Sequence, residues 1–141
     1  WKAGDRVLAV PVMQQGLQER FVLDENRAIT IDATVPEEQA LMAQPLGTAI
    51  FALKKLPSVL DQDVVVVGQG PMGQLFNAAL RNLGARQIIG IDKLESRLRV
   101  SPGMGATATV CNAHQDPVPA VRELLGGALP DLVIECVGNS D

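Results

Sequence analysis

Four consecutive valines, Val64-Val65-Val66-Val67, run directly into Gly68-Gln69-Gly70-Pro71-Met72-Gly73. An unbroken β-branched run of this length reads as a strand buried on both faces, the environment of a parallel sheet. After the glycines, Met72, Leu75, Phe76, Ala79, Leu80 and Leu83 recur at the spacing of one apolar helix face, with Gln74, Asn77, Arg81 and Asn82 opposite. Gly84 follows as a helix-ending C′ glycine. The alternation then continues. Residues 87–91, 106–111 and 132–137 read as strands. Residues 94–100 and 118–125 read as helices, broken by Ser101-Pro102-Gly103 and Gly126-Gly127 respectively. Strand and helix in regular alternation predict a doubly wound parallel α/β sheet with right-handed crossovers, in strand order 3-2-1-4.

Upstream the pattern is different. Residues 6–10, 17–22 and 28–31 read as short strands around turns at Lys2-Ala3-Gly4-Asp5 and Asp24-Glu25-Asn26. Thr34-Val35-Pro36-Glu37 has the spacing of a capping box, which predicts a helix over 35–43. A second helix is predicted over 46–56, stopped by Pro57. The expected organisation is a small β-rich appendage over 1–33 and an α/β domain over 34–141.

Composition narrows the function classes. Of 141 residues, 47% are hydrophobic but only 3% aromatic, so the core must be aliphatic. The net charge of −4 offers no basic footprint for nucleic acid, and no apolar run has the roughly 20 residues of a membrane span. One histidine, His114, and two cysteines, Cys111 and Cys136, cannot build a zinc finger or a disulfide framework. The cysteines fall in strand-like runs and read as buried packing residues, which suits a reducing, cytoplasmic setting. His114 reads as an exposed loop residue, and Asp61 and Asp63 as solvated charges at a strand entry. No nucleophile–base set can be assembled around a single loop histidine. The chain opens at Trp1 and closes on Asn139-Ser140-Asp141 after a strand-like run, which reads as a piece of a longer protein.

The glycine turn carries the chemistry. Gly68-x-Gly70-x-x-Gly73 lies between a buried strand and an amphipathic helix, and Asp92 ends the next strand nineteen residues past Gly73 (92 − 73). That is the context of a Rossmann dinucleotide fingerprint. Gly68 permits the tight turn, Gly70 lets a pyrophosphate approach the backbone, and Gly73 lets the helix pack close to the sheet. The helix N-terminus favours phosphate, and Pro71 fits its first turn. Asp92 can accept hydrogen bonds from both ribose hydroxyls and would repel a 2′-phosphate, which favours NAD over NADP. A turn that binds nothing, or one that holds a flavin or S-adenosylmethionine, stands beside this reading.

These pieces also resemble a known family. Lys2-Ala3-Gly4-Asp5-Arg6-Val7 is similar to the "GDRV" strand of the GroES-like catalytic domain of the medium-chain dehydrogenase/reductases. Gly16-Leu17-Gln18-Glu19-Arg20-Phe21-Val22 resembles its "GGxAEYV" segment, and Gln44-Pro45-Leu46-Gly47-Thr48-Ala49 its "EPLxxA" helix. Val66-Val67-Gly68-Gln69-Gly70-Pro71-Met72-Gly73 resembles "VxGxGPIG", and Val133-Ile134-Glu135-Cys136-Val137-Gly138 resembles "VIExxG". The resemblance implies a nicotinamide-dependent oxidoreductase acting on a small alcohol, polyol or carbonyl. It implies a partial GroES-like appendage over 1–33 and a Rossmann domain truncated after its fourth strand. The cofactor-binding set it implies is Thr48, Gly68, Gln69, Gly70, Pro71, Met72, Gly73, Asp92, Lys93, Arg97, Cys136, Val137 and Gly138. Within it Asp92 and Arg97 meet the adenosine ribose, Thr48 lies near the nicotinamide, and Cys136 to Gly138 run along the cofactor.

Zinc fits the sequence less well. Gln44 stands where zinc-dependent members place a third ligand, and a neutral amide binds zinc poorly beside a thiolate or carboxylate. Val12-Met13-Gln14-Gln15-Gly16 passes across the position of the family's four-cysteine lobe. No catalytic residue and no metal-ligand set is assigned within this chain, which is expected to be inactive alone, and homo-oligomerisation stays open. A non-catalytic NAD-binding or sensing module on the same fold is the alternative.

Overall fold

The structure is a computed structural model, and it describes residues 1–11 and 16–138. The stretch set against the four-cysteine lobe therefore lies, at 12–15, outside the described residues, as does the tail at 139–141. The chain groups into two compact units, Trp1–Gln44 and Pro45–Asp141.

In the first unit, β1 (Val7–Ala9) pairs antiparallel with β2 (Ala28–Thr30), Leu8 opposite Ile29. The turn into β2 is a single 3-10 turn, Glu25–Arg27, capped by the Asp24 carboxylate, which accepts from the Asn26 N–H at 2.9 Å. Two expectations fail here. Residues 17–22 form no strand: they find no ladder partner among the described residues, and Leu17 and Val22 are fully exposed. A strand needs a neighbour, and alternation alone does not supply one. The capping box at Thr34 does not form either. The Thr34 hydroxyl and N–H both donate to Asp32 Oδ1, at 2.6 and 2.8 Å, which closes an Asx turn one step upstream. The helix α1 is accordingly only Glu37–Ala40, with Pro36 at its cap.

The second unit is built on a four-stranded parallel sheet. Its strands are β3 (Asp63–Val67), β4 (Gln87–Asp92), β5 (Ala108–Cys111) and β6 (Leu132–Glu135), in spatial order β5-β4-β3-β6. This is the expected order 3-2-1-4. Successive side chains of β3 point to opposite faces, and each face has its own core. Val64, Val66 and Ile88 pack with Phe76, Ala79 and Leu80 of α3 (Pro71–Asn82) and with Ala49 and Leu53 of α2 (Ala43–Leu53). Val65, Ile89, Ile91 and Val110 pack with Val121 and Leu125 on and after α5 (Pro117–Leu124). A short α4 (Glu95–Leu98) and a 3-10 turn (Ser101–Met104) link β4 to β5.

Three side chains lie where the amphipathic pattern did not put them. Gln74 and Asn77, expected on the solvent face of α3, are buried, Asn77 completely. The turn at 101–104 covers that face, and its Ser101 is fully buried too. Asp63, expected to be solvated, is also buried and bound by the Arg86 guanidinium at 2.9 and 2.6 Å. That bond outweighs burial and holds the Asp63 carboxyl below the usual carboxylate range.

Candidate functional site

The turn from β3 into α3 meets the C-terminal ends of β4 and β6 at a groove of about 570 Å³. This is the crevice outside the carboxyl ends of the strands, where the crossover through α3 and the crossover through α5 lie on opposite faces of the sheet. Gly68, Gly70, Pro71, Asp92, Lys93, Arg97, Cys136 and Val137 line it, together with Val67, Ile91 and Asn112. Two other hollows, of about 450 and 420 Å³, are lined mainly by apolar side chains and include no carboxylate.

The backbone of the turn demands two of its glycines, Gly68 and Gly73. Gly68 has φ +90°, and a Cβ there would lie 3.0 Å from the Cys136 carbonyl carbon and from Val137 Cγ2. A Cβ on Gly73 would lie 1.9 Å from the Gly68 carbonyl oxygen, so the start of α3 can approach the turn only through glycine. Gly70 caps α3 with no side-chain hydrogen bond, and a Cβ there would meet only Arg97, at 3.9 Å. With Pro71 in the first position, the N–H groups of Met72 and Gly73 have no carbonyl one turn back within the helix to receive them. Free N–H groups, the helix dipole and an open approach at Gly70 together suit a phosphate.

Asp92 is buried but well supported. Burial pushes its carboxyl up, but the Leu94 N–H at 2.9 Å, the Gln69 N–H at 2.7 Å and the Arg97 guanidinium at 3.4 Å outweigh burial. The carboxyl is held below the usual range and is charged at neutral pH. Its two oxygens have more acceptor capacity than these three donors use. The Arg97 side chain is half-exposed over the groove and leaves Asp92 in a mixed field rather than a purely negative one.

The remaining expected residues divide clearly. Gln69 does not face the groove: its side chain is buried and donates to the Val66 carbonyl at 2.9 Å, while its Oε1 accepts from Asn77 at 2.7 Å and Ser101 at 2.8 Å. Gln74 extends this network to the carbonyls of Gln69 and Arg97, both at 3.1 Å. Among these buried amides, Asn77 Oδ1 has no partner. Met72, Gly73, Gly138 and Thr48 do not line the groove; Thr48 lies on α2. Val137 and Gly138 both give their N–H groups to Glu135, the latter at 3.0 Å, so the end of β6 carries its own clamp. Cys136 and Cys111 are half-buried rather than buried, and burial pushes the Cys136 thiol up, with Glu135 adding to it. Asn112 was missed because it lies in a polar loop with no motif around it.

The family model described as zinc-binding dehydrogenase matches residues 71–141, half of the chain. The chain belongs to the zinc-binding dehydrogenase family. Its similarity to the medium-chain dehydrogenase/reductases therefore rests on sequence and structure together. The chain is 40% identical over 101 residues to an L-threonine 3-dehydrogenase of Bacillus subtilis, covering 71% of this chain and 28% of that one. It is 29% identical over 136 residues to sorbitol dehydrogenase 1 of Saccharomyces cerevisiae, covering 92% of this chain and 38% of the other. An alcohol dehydrogenase from Thermus sp. ATN1 superimposes with a TM-score of 0.73 at 30% identity, over 80% of this chain and 33% of that one. A zinc-binding dehydrogenase from Sinorhizobium meliloti, bound to NADP, does so at 0.76 and 26%, over 82% and 34%. The chain thus spans 28% to 38% of the length of these curated relatives.

The site's own residues fit a nicotinamide dinucleotide: an open cradle at Gly70, helix N–H groups and a charged acid at the adjoining strand end. The groove's lining offers one carboxylate and one half-buried thiol, Asp92 and Cys136, fewer than the three protein ligands of a catalytic zinc.

Proposed function

We propose that this chain is the NAD-binding part of an oxidoreductase that moves hydride between an alcohol or polyol and a nicotinamide cofactor. The observation that carries the reading is the Asp92 carboxylate, bonded by the Gln69 and Leu94 N–H groups, beside a turn that admits only glycine at positions 68 and 73. The dehydrogenases named above, with threonine, sorbitol and alcohol as their substrates, support the hydroxyl-bearing substrate class. The bound cofactor supplies the hydride acceptor or donor at its nicotinamide ring.

The chain's own residues bind and orient. Gly68 and Gly73 shape the turn, while the start of α3 receives the pyrophosphate. Asp92 accepts the ribose hydroxyls, with Lys93 and Arg97 beside it. Cys136 and Val137 line the path along the cofactor, Gly138 follows them just outside the groove, and Thr48 belongs toward the nicotinamide. Residues 1–33 belong to a GroES-like catalytic domain. The preference for NAD rests on the charge of Asp92. The NADP on the Sinorhizobium meliloti relative makes the lysine and arginine beside Asp92 the feature to weigh against it.

The test is NADH formation over a panel of alcohols and polyols, by the 141-residue chain and by a full-length protein that contains it. The full-length protein is expected to turn over. The 141-residue chain is expected not to exceed its Gly73→Val control, because among the described residues none is assigned to hold the substrate carbon or take its proton. NAD binding without turnover by the full-length protein would favour a sensing module instead.

A further inference from the structure

The ends of β4 and β5 bring together a second set of reactive side chains. Glu95 stands in the first turn of α4, Cys111 is the last residue of β5, and His114 follows in the loop to α5. One ligand-type atom from each lies within 4.8 Å of the other two. His114 Nε2 and Glu95 Oε1 are 3.5 Å apart. Two N or O ligands on tetrahedral zinc, with bonds of about 2.0–2.1 Å, sit roughly 3.4 Å apart. The pair therefore already has the spacing of one edge of a coordination tetrahedron.

The sulfur is close to completing a face. Cys111 Sγ contacts the Lys93 carbonyl oxygen at 3.7 Å, on the turn that leads to Glu95. A sulfur–nitrogen edge on zinc is roughly 3.6 Å, so the thiol and imidazole must close by about 1.2 Å at most. His114 and Glu95 are 69% and 67% exposed, so side-chain rotation supplies that movement without disturbing the sheet. An exposed histidine–glutamate pair alone contributes little. The half-buried thiol from a separate element makes the cluster a donor set.

We propose that Glu95, Cys111 and His114 form a binding site for a zinc ion or a similar borderline divalent cation, with water in the fourth position. Thiolate and carboxylate together balance the two positive charges, and neutral imidazole completes a set that prefers zinc to magnesium or calcium. Binding releases the thiol proton to solvent and replaces its contact with the Lys93 carbonyl by the sulfur–metal bond. The ion would join the β4–α4 turn to the β5–α5 loop, the segments that carry Asp92, Lys93 and Asn112 at the groove. The family resemblance gives none of the three ligands a role.

The test is titration of the metal-free 141-residue chain with Co²⁺ as a coloured probe. The expected result is one equivalent bound, with a near-ultraviolet thiolate-to-cobalt band that Zn²⁺ removes. Cys111→Ser should abolish the band, Cys136→Ser should leave it, and His114→Ala should weaken binding more than about tenfold. Zn²⁺ should raise the melting temperature of the unmutated chain but not of His114→Ala, which checks the site without relying on a folded Cys111 variant. No band in the unmutated chain would overturn the proposal. So would a band that survives Cys111→Ser, or one unchanged in both Glu95→Gln and His114→Ala.

Discussion

Asp63 and Asp92 are the two buried carboxylates of the sheet, at opposite ends of neighbouring strands, and each is held charged by different means. Asp63 relies on one guanidinium, that of Arg86, which is half in water. Asp92 relies on two backbone N–H groups and on Arg97. In both, the folded-state pKa lies below the unfolded one, so the folded chain binds these protons less readily. The stability they contribute is fully present above the ordinary carboxylate pKa of about 3.9 and is lost as pH falls through the folded values. Urea unfolding from pH 6 down to pH 2.5 should therefore show stability falling below about pH 4. Asp63→Asn should flatten part of that fall. An unchanged acid limb in the variant would mean that Asp63 is not held below its ordinary range.

At the scale of elements, Gly90 of β4 shows how the polar layer under α3 constrains the sheet. A Cβ on Gly90 would lie 2.7 Å from both Cδ and Oε1 of Gln69, a side chain already tied to Val66, Asn77 and Ser101. Gly90→Ala should destabilise the chain by about 1–3 kcal/mol, the usual range for overpacking. In a Gln69→Ala background the same change should cost clearly less, since the clashing atoms are gone. Additive costs in denaturant melts would contradict the contact. This layer also marks the limit of what the sequence discloses. The strands of the parallel sheet, their order and the helix α3 were legible because runs such as Val64 to Val67 and the Leu75–Phe76–Ala79–Leu80 face have a single reading. Gln74 and Asn77 were not, because period alone assigns an amide to solvent. Only the return of the chain at Ser101 buries them. The capping box at Thr34 failed for a similar reason, since Asp32 competes for the same hydroxyl.

At the scale of the whole molecule, the glycine turn and Asp92 were legible as a constellation. The inward turn of Gln69 and the part played by Asn112 were not, because each depends on what another segment places next to it. No helix among the described residues is long and apolar enough to cross a membrane. Beyond β6 the sheet has no further strand among the described residues, and Val133 is 57% exposed there. An apolar sheet edge of this kind is prone to pair with another chain. The groove lies at the C-terminal ends of β3, β4 and β6, and its chemistry can be measured directly. The decisive experiment is calorimetric titration of NAD and of NADP into the unmutated chain and into Asp92→Ala. NAD should bind the unmutated chain more tightly than NADP. In Asp92→Ala, NAD should be weakened by about 1.5–3 kcal/mol, the scale of a hydrogen bond to a charged group, and the gap to NADP should narrow. Tighter binding of NADP by the unmutated chain would contradict the role given to Asp92 and, with it, the reading of the groove.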